Sequence, residues 1–229
     1  MKETNMTDYS EFRLNRLNEP RFRHLKLLIF WPLYGLAFAF LERFRSPDTH
    51  YSVMYCALDD KIPFCEFFVI PYFFWFVFLI GMLLYTLFYD TASFRNYMIF
   101  IILSYSVTIL IYLLFPNRQA LRPASFARDN LLTRLVSALY VFDTDTNVFP
   151  SLHVIGSFAV LFTAWNCPRF SGIGWRLAFL TVTVLISVST LFLKQHSVPD
   201  VAAGLLISLL LYPVAFGRKR IILREKTVL

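Results

Sequence analysis

A histidine and an aspartate lie four residues apart in the segment Lys194-Gln195-His196-Ser197-Val198-Pro199-Asp200. Pro199 suits the first turn of a helix, which places His196 near the helix start and Asp200 one turn further on. A carboxylate at this spacing can hold one imidazole nitrogen and leave the other free. The pair therefore suggests an activated histidine nucleophile or base. A buried ion pair is the alternative.

A second histidine, His153, ends the segment Phe149-Pro150-Ser151-Leu152-His153. Pro150 fits a first helical turn and Ser151 can cap it. The free N–H groups of such a helix start favour an anion. His153 would then lie one turn inside the helix, close to that anion. An interfacial histidine behind an ordinary cap is the alternative.

Two arginines, Arg118 and Arg122, lie four residues apart between Pro116 and Pro123. Each guanidinium group offers a fixed fork of donors that suits phosphate oxygens. Anchoring to lipid headgroups is the alternative for arginines that directly follow an apolar segment.

The three clusters complement one another chemically. Together they offer two histidines, one aspartate, several cationic side chains and at least one helix N-terminus. One pocket built from them would bind an oxyanion, above all phosphate. The three clusters offer no carboxylate pair for two-metal chemistry, and Asp200 is committed to His196. We therefore expect neither a metal ion nor another cofactor.

The composition indicates that membrane spans position these clusters. Of the 229 residues, 57% are hydrophobic and 16% are charged, whereas soluble domains are nearer a half apolar and a quarter charged. A span needs about 20 mostly apolar residues. Six segments are candidates, at residues 25–41, 67–89, 97–115, 150–165, 175–193 and 198–216. We predict an all-α, polytopic membrane bundle of six transmembrane helices.

The distribution of lysine and arginine residues predicts how this bundle is oriented in the membrane. Six spans put both termini on one side, where fourteen Lys and Arg residues fall, against eight on the other side. We therefore expect both termini in the cytoplasm and all three polar clusters at the non-cytoplasmic face of a cell membrane. The net charge of +7 is explained by this topology, so we expect membrane lipids as partners and no nucleic acid.

The predicted parts of the chain are a basic cytoplasmic segment at 1–24, a membrane domain at 25–216 and a basic cytoplasmic tail at 217–229. Residues 8–24 could form an interfacial helix or a frayed basic tail. Apolar residues between the arginines and His153 recur near helical spacing and favour an amphipathic helix that could roof a lipid entrance. A simple connector is the alternative. These residues are Leu132, Leu135, Val136, Leu139 and Phe142.

The order and spacing of the clusters resemble the signature motifs of the type 2 phosphatidic acid phosphatase superfamily. That family's motifs run Lys-x6-Arg-Pro, Pro-Ser-Gly-His and Ser-Arg-x5-His-x3-Asp. The matching residues here are Arg122 and Pro123 in the first motif, Pro150, Ser151 and His153 in the second, and Ser189, His196 and Asp200 in the third.

The chain departs from the family pattern at three positions. Phe115 and Thr190 replace a Lys and an Arg, and Leu152 stands where Gly is commoner. The resemblance covers roughly residues 97–216. Pro-Ser-Leu-His with a Lys-Gln-His third motif looks like the branch that includes fungal inositol phosphorylceramide synthase, and sphingomyelin synthases are more distant relatives. Those enzymes transfer a phospho-headgroup between lipids.

The resemblance implies a role for each matched residue. His196 would be the nucleophile that takes the phosphoryl group, and Asp200 would orient it. His153 would protonate the leaving alcohol and then activate the acceptor. Four side chains would hold the phosphate oxygens: Arg118, Arg122, Ser151 and Lys194.

The expected function is that of an integral membrane lipid phosphatase with a phospho-histidine intermediate. A lipid phosphotransferase that uses an alcohol acceptor shares every one of these residues. A third hypothesis, of another class, is a catalytically decayed membrane binding protein. The changes at Phe115 and Thr190 favour decay, whereas retention of both histidines and Asp200 argues against it.

Overall fold

The computed structural model describes residues 6–46 and 48–217. It is 68% helical with almost no strand, so the predicted all-α class is confirmed. The predicted tail beyond residue 217 lies outside the described residues. The α-helices are α1 (Phe30–Arg43), α2 (Val69–Tyr89), α3 (Thr91–Leu114), α4 (Leu131–Phe142), α5 (Leu152–Asn166), α6 (Ile173–Phe192) and α7 (Val198–Phe216).

Five stretches in the described ranges are long and apolar enough to cross a membrane. They are Arg23–Arg43, Glu66–Tyr89, Thr91–Leu114, Ile173–Phe192 and Val198–Phe216, and they correspond to all the predicted spans except the fourth. The third begins earlier than predicted because Asp90 Oδ1 accepts a hydrogen bond from Ser93 N at 3.0 Å and caps the helix. The chain is therefore a polytopic membrane protein.

The fourth predicted span is α5, a shorter helix at the centre of the bundle. Its 15 residues give a length of about 22 Å, less than the roughly 30 Å of a bilayer's hydrocarbon core. Eleven of the 15 residues are buried, and α5 packs against α2, α3, α6 and α7. The protein surrounds this helix, so its length is set by its neighbours and not by lipid.

The N-terminal segment and the end of α7 lie at the same end of the bundle. Tyr9 OH donates a hydrogen bond to Leu87 O at 2.8 Å, next to the α2–α3 connection. At that end Phe216 packs against Phe162 near the end of α5. The interfacial α-helix suggested for residues 8–24 is absent there, since these residues contain only short 3-10 turns such as Leu14–Arg16.

The opposite end carries the polar clusters and two short strands. Strands β1 (Ser52–Val53) and β2 (Asn117–Arg118) pair in parallel. The amphipathic helix expected between the arginines and His153 is present as α4, whose capping box joins Asn130 and Thr133. Its apolar side chains divide between two faces. Val136 and Leu139 are buried, whereas Leu131, Leu135, Val141 and Phe142 are exposed.

Candidate active site

The structure brings His153, His196 and Asp200 together. Asp200 Oδ2 accepts a hydrogen bond from Ser197 N at 2.8 Å and lies 3.3 Å from His196 Nδ1. His196 Nε2 lies 3.4 Å from His153 Nδ1. A proton on His196 Nδ1 would point at the carboxylate and leave the lone pair on Nε2, which is the tautomer that a histidine nucleophile requires. All three side chains are buried.

Two helix starts place these histidines. Ser151 is the N-cap of α5 and Ser197 is the N-cap of α7. The two starts are joined by the backbone, because Ser151 N donates to Asp200 O at 3.1 Å. Gly204 permits this approach, since a Cβ there would lie only 2.9 Å from Ser151 O. The distance between the histidines therefore depends on a close contact between α5 and α7.

Two aromatic rings of α2 pack against the ring of His153. The ring centroids of Tyr72 and Trp75 lie 4.4 Å and 4.5 Å from that of His153. Tyr72 OH also donates to Asp143 Oδ2 at 2.5 Å. Neither residue gives a sequence signal, because α2 is dense in aromatic side chains and nothing in its pattern distinguishes these two.

Arg122 binds the loop that follows α4. Its Nη2 donates to Asp143 O at 2.6 Å, Thr144 O at 2.7 Å and Gln195 Oε1 at 2.6 Å, and its Nη1 donates to Tyr140 O at 3.0 Å. The guanidinium carbon lies 4.5 Å from the centroid of the Tyr140 ring. In this arrangement Arg122 positions the loop, and it is not among the residues that line the two cavities at His153.

Lys194 and Arg118 also have partners in the protein. Lys194 Nζ donates to the backbone oxygens of Asp59, at 2.8 Å, and of Ile62. Arg118 forms an ion pair with Asp145 at 2.6 Å and has a side-chain exposure of 44%. Direct phosphate contacts by these cations stay a prediction, because each cation would first have to exchange its present partners.

Ser151 and Asn117 act on the backbone around the second cluster. Ser151 Oγ accepts from Val154 N at 3.5 Å, and the serine is fully buried. Asn117 Oδ1 accepts from the backbone N–H groups of Val148 and Phe149, both at 2.8 Å. Asn117 therefore ties the arginine segment to the start of α5. It gave no sequence signal, because its partners are backbone groups some thirty residues away along the chain.

Two cavities meet at His153. The larger, of about 210 Å³, is mostly apolar and lies between α1, α2, α4 and α5. The smaller, of about 40 Å³, is more polar and also reaches His196. Four residues line both: Phe38, Asp143, Leu152 and His153.

Within the described residues, the polar cavity is lined by one carboxylate and by no lysine or arginine. That carboxylate belongs to Asp143, whose Oδ2 accepts from Tyr72 OH and from Gln195 Nε2 at 3.3 Å. Glu42 lies behind the cavity wall and accepts from Thr144 Oγ1 at 2.7 Å. No group of three or more His, Cys, Asp and Glu side chains in the described ranges is placed to hold a metal ion.

A comparison with protein families agrees with this geometry. Residues 118–218 match the family model described as the PAP2 superfamily, and His153, His196 and Asp200 all fall inside the match. This part of the chain belongs to the PAP2 superfamily. The resemblance seen in the motifs is therefore confirmed at the level of the superfamily, and a PAP2 superfamily protein is of the lipid phosphatase or phosphotransferase kind. Neither a curated protein nor a solved structure matches the chain.

Proposed function

We propose that this PAP2 superfamily protein is a membrane lipid phosphatase that works through a phosphoryl group carried on His196. The observation behind the proposal is the histidine pair: His196 Nε2 faces His153 Nδ1 at 3.4 Å, and Asp200 faces the other nitrogen of His196. A nucleophile and an acid–base group within reach of one phosphorus atom are the requirements for a double displacement.

The proposed reaction has two steps. In the first, the lone pair of His196 Nε2 forms a bond to phosphorus, the bond from phosphorus to the lipid oxygen breaks, and His153 gives that oxygen a proton. In the second, His153 takes a proton from water, the water oxygen bonds to phosphorus, and the bond to His196 breaks. Asp200 stabilises the positive charge that His196 gains in between. Positioning and charge stabilisation supply most of the catalysis in such reactions.

The route of the phosphate follows from the short distance between the histidines. A reacting phosphorus atom must approach to about 3–3.5 Å from the nucleophile, and His153 already occupies that space on one side of His196. The phosphate therefore approaches from the polar cavity, while the lipid tail occupies the apolar cavity.

The test of this proposal is to trap the intermediate. The protein in mixed micelles is mixed briefly with phosphate-labelled lipids, quenched in alkali and separated on a gel. We expect label on the wild-type protein and none on His196→Ala. His50→Ala, which changes an exposed loop histidine, is the matched control and should label normally. Full turnover by His196→Ala would refute the mechanism.

A phosphotransferase is the second candidate, and the polar cavity favours it. Asp143 lines this cavity beside both histidines, and a carboxylate repels a doubly charged phosphomonoester more than a singly charged phosphodiester. For a unit charge about 5 Å away, the difference is roughly 3 kcal/mol at an effective dielectric constant of about 20. A diester donor that passes its phospho-headgroup to a second alcohol would suit this site.

Asp143→Asn tests the second candidate. The amide oxygen can still accept the hydrogen bonds from Tyr72 and Gln195, so the loop should keep its shape. We expect the ratio of monoester to diester turnover to rise by at least about tenfold, since one repulsive charge is removed. Asp145→Asn, which only breaks the pair with Arg118, should leave the ratio unchanged. An unchanged ratio in Asp143→Asn would remove this argument for a diester.

For the orientation, we propose that the site lies at the non-cytoplasmic face. The support is the excess of lysine and arginine toward the other face. In addition, the N-terminal segment and the end of α7 lie at the end of the bundle away from the histidines.

A further inference from the structure

Four buried donor groups near the site have no hydrogen-bond partner among the described residues. They are Trp31 Nε1, Tyr34 OH, Trp75 Nε1 and Tyr105 OH. The Tyr105 ring centroid lies 4.9 Å from that of Tyr34 and 5.8 Å from that of Trp31. Buried polar groups nearly always bond to something, because an unbonded one keeps its full desolvation cost. The four unbonded donors together indicate a ligand that supplies a hydrogen-bond acceptor.

Two of these donors converge on Gly156 of α5. A Cβ built there would lie 2.9 Å from both Trp75 Nε1 and Tyr105 OH. Gly156 follows His153 by three residues, which is about 4.5 Å along a helix axis. Trp75 also packs against the His153 ring. The donors therefore lie one helical turn deeper in the membrane than the candidate phosphate site.

Two of the four donor residues, Tyr34 and Trp75, belong to the wall of the apolar cavity, as does His153. Tyr105 lies behind this wall, where its ring packs against that of Tyr34. A phospholipid with its phosphate at His196 and the first part of a tail in this cavity has its acyl linkages just below the phosphate, at the level of the donors. Ester and amide carbonyl oxygens accept hydrogen bonds and are buried with the tails. The chemistry and the depth of the donor cluster both match such a carbonyl.

We infer that the substrate is an acyl lipid, and that Tyr34, Trp75 and Tyr105 bind the carbonyl oxygen of its ester or amide linkage. This inference rests on the proposed function. The donor atoms are enclosed, so the inference requires that a ring of the cavity wall turns before the carbonyl can reach them. Prenyl phosphates and alkyl ether lipids have no carbonyl and leave the donors unbonded. Sites built to bond a substrate group reject analogues that lack it.

The test compares ester-linked and ether-linked lipids of equal chain length and headgroup in detergent micelles. The lipids are phosphatidate, phosphatidylinositol and phosphatidylglycerophosphate, each in an ester-linked and an ether-linked form, together with an amide-linked ceramide phosphate and a polyprenyl diphosphate. We expect Tyr105→Phe to lower kcat/KM on the ester lipid by about three- to tenfold, the effect of one hydrogen bond. The rate on the ether lipid should not change. The melting temperature should not fall, because the variant removes an unbonded hydroxyl.

Tyr97→Phe is the matched control. Tyr97 lies on the same helix and is as deeply buried as Tyr105, but its hydroxyl already donates to Leu79 O at 3.4 Å. We expect this variant to lower the melting temperature and to leave the ratio of ester to ether turnover unchanged. Tyr34→Phe removes a second donor of the cluster and should repeat the effect of Tyr105→Phe.

Each other outcome is decisive. An equal loss on ester and ether lipids would mean that the Tyr105 hydroxyl binds water or a protein group, and would overturn the inference. Turnover of the polyprenyl lipid alone, abolished in His196→Ala, would also overturn it and would leave the phosphatase proposal standing. If no lipid in the set is turned over in a His196-dependent way, the proposed function fails and the inference fails with it.

Discussion

Gly204→Ala should slow the enzyme although it changes no residue that contacts the substrate. The added methyl group would lie 2.9 Å from Ser151 O and 3.1 Å from Val154 Cβ. The first of these is a backbone atom at the start of α5, so no side-chain rotation can relieve the contact. α5 and α7 must move apart, and the two histidines are carried on the ends of these helices.

The size of the effect follows from the contact. The 2.9 Å distance must open by about 0.5 Å to reach ordinary van der Waals separation. A misplacement of about 1 Å can cost about a hundredfold in rate, so we expect a loss of about tenfold. Overpacking costs about 1–3 kcal/mol, and alanine regains about 1 kcal/mol of helix propensity. The net loss of stability should therefore be at most about 2 kcal/mol.

The measurement is lipid turnover in mixed micelles together with the melting temperature. Gly81→Ala is the matched control, because Gly81 also lies within a long helix and an added Cβ meets nothing within 4 Å. That variant should keep the wild-type rate and be slightly more stable. The comparison separates the steric effect from the general effect of replacing a helical glycine.

A Gly204→Ala protein with the wild-type rate would refute the reasoning. It would show that the contact between α5 and α7 does not set the spacing of the histidines. A protein that lost stability and rate equally at Gly204 and at Gly81 would refute it as well, because the effect would then be unrelated to the contact with Ser151.

Three further predictions concern stability, reactivity and topology. Arg122→Lys should lower the free energy of unfolding by roughly 2–3 kcal/mol, measured by thermal melting, because an ammonium group cannot keep the bonds that the guanidinium fork makes to the loop after α4. Burial raises the pKa of the Cys167 thiol, so its alkylation should be slow near pH 7.5 and should still increase above pH 9; a rate plateau below pH 8.5 would contradict this. With Cys56 and Cys65 replaced by serine, Asp145→Cys should react with an impermeant reagent on intact cells, whereas labelling only after permeabilisation would reverse the proposed orientation.

The sequence predicts the membrane bundle and the histidine–aspartate pair because both depend on local spacing. His196 and Asp200 are one helical turn apart, and His153 follows a helix cap, so their geometry is set within a few residues. The apolar runs likewise define the spans. The apolar pattern predicts the start of α3 too late because the first turns of this helix are mixed in polarity, and a single cap at Asp90 decides where the helix begins.

The sequence does not predict which side chains surround the histidines. Asp143 and Tyr72 are 71 residues apart in the chain, and their contact exists only once α4 packs on α2. The charge of a residue also does not predict which groups it binds. Arg122 and Lys194 are cations in a phosphate-binding pattern, yet in the structure both bind backbone carbonyl groups, which no residue pattern reveals.

The shortness of α5 has a consequence for how the protein responds to its membrane. The His153 ring packs against Tyr72 and Trp75, which lie one to two turns inside α2, so the reacting group is recessed below the outer ends of the neighbouring helices. In the proposed reaction a lipid headgroup must sink toward the hydrocarbon, or the bilayer must thin locally, before its phosphate reaches His196. Deforming a bilayer costs a fraction of a kcal/mol per Å. If the proposed function holds, the rate should therefore depend on acyl-chain length, and thin membranes should favour catalysis.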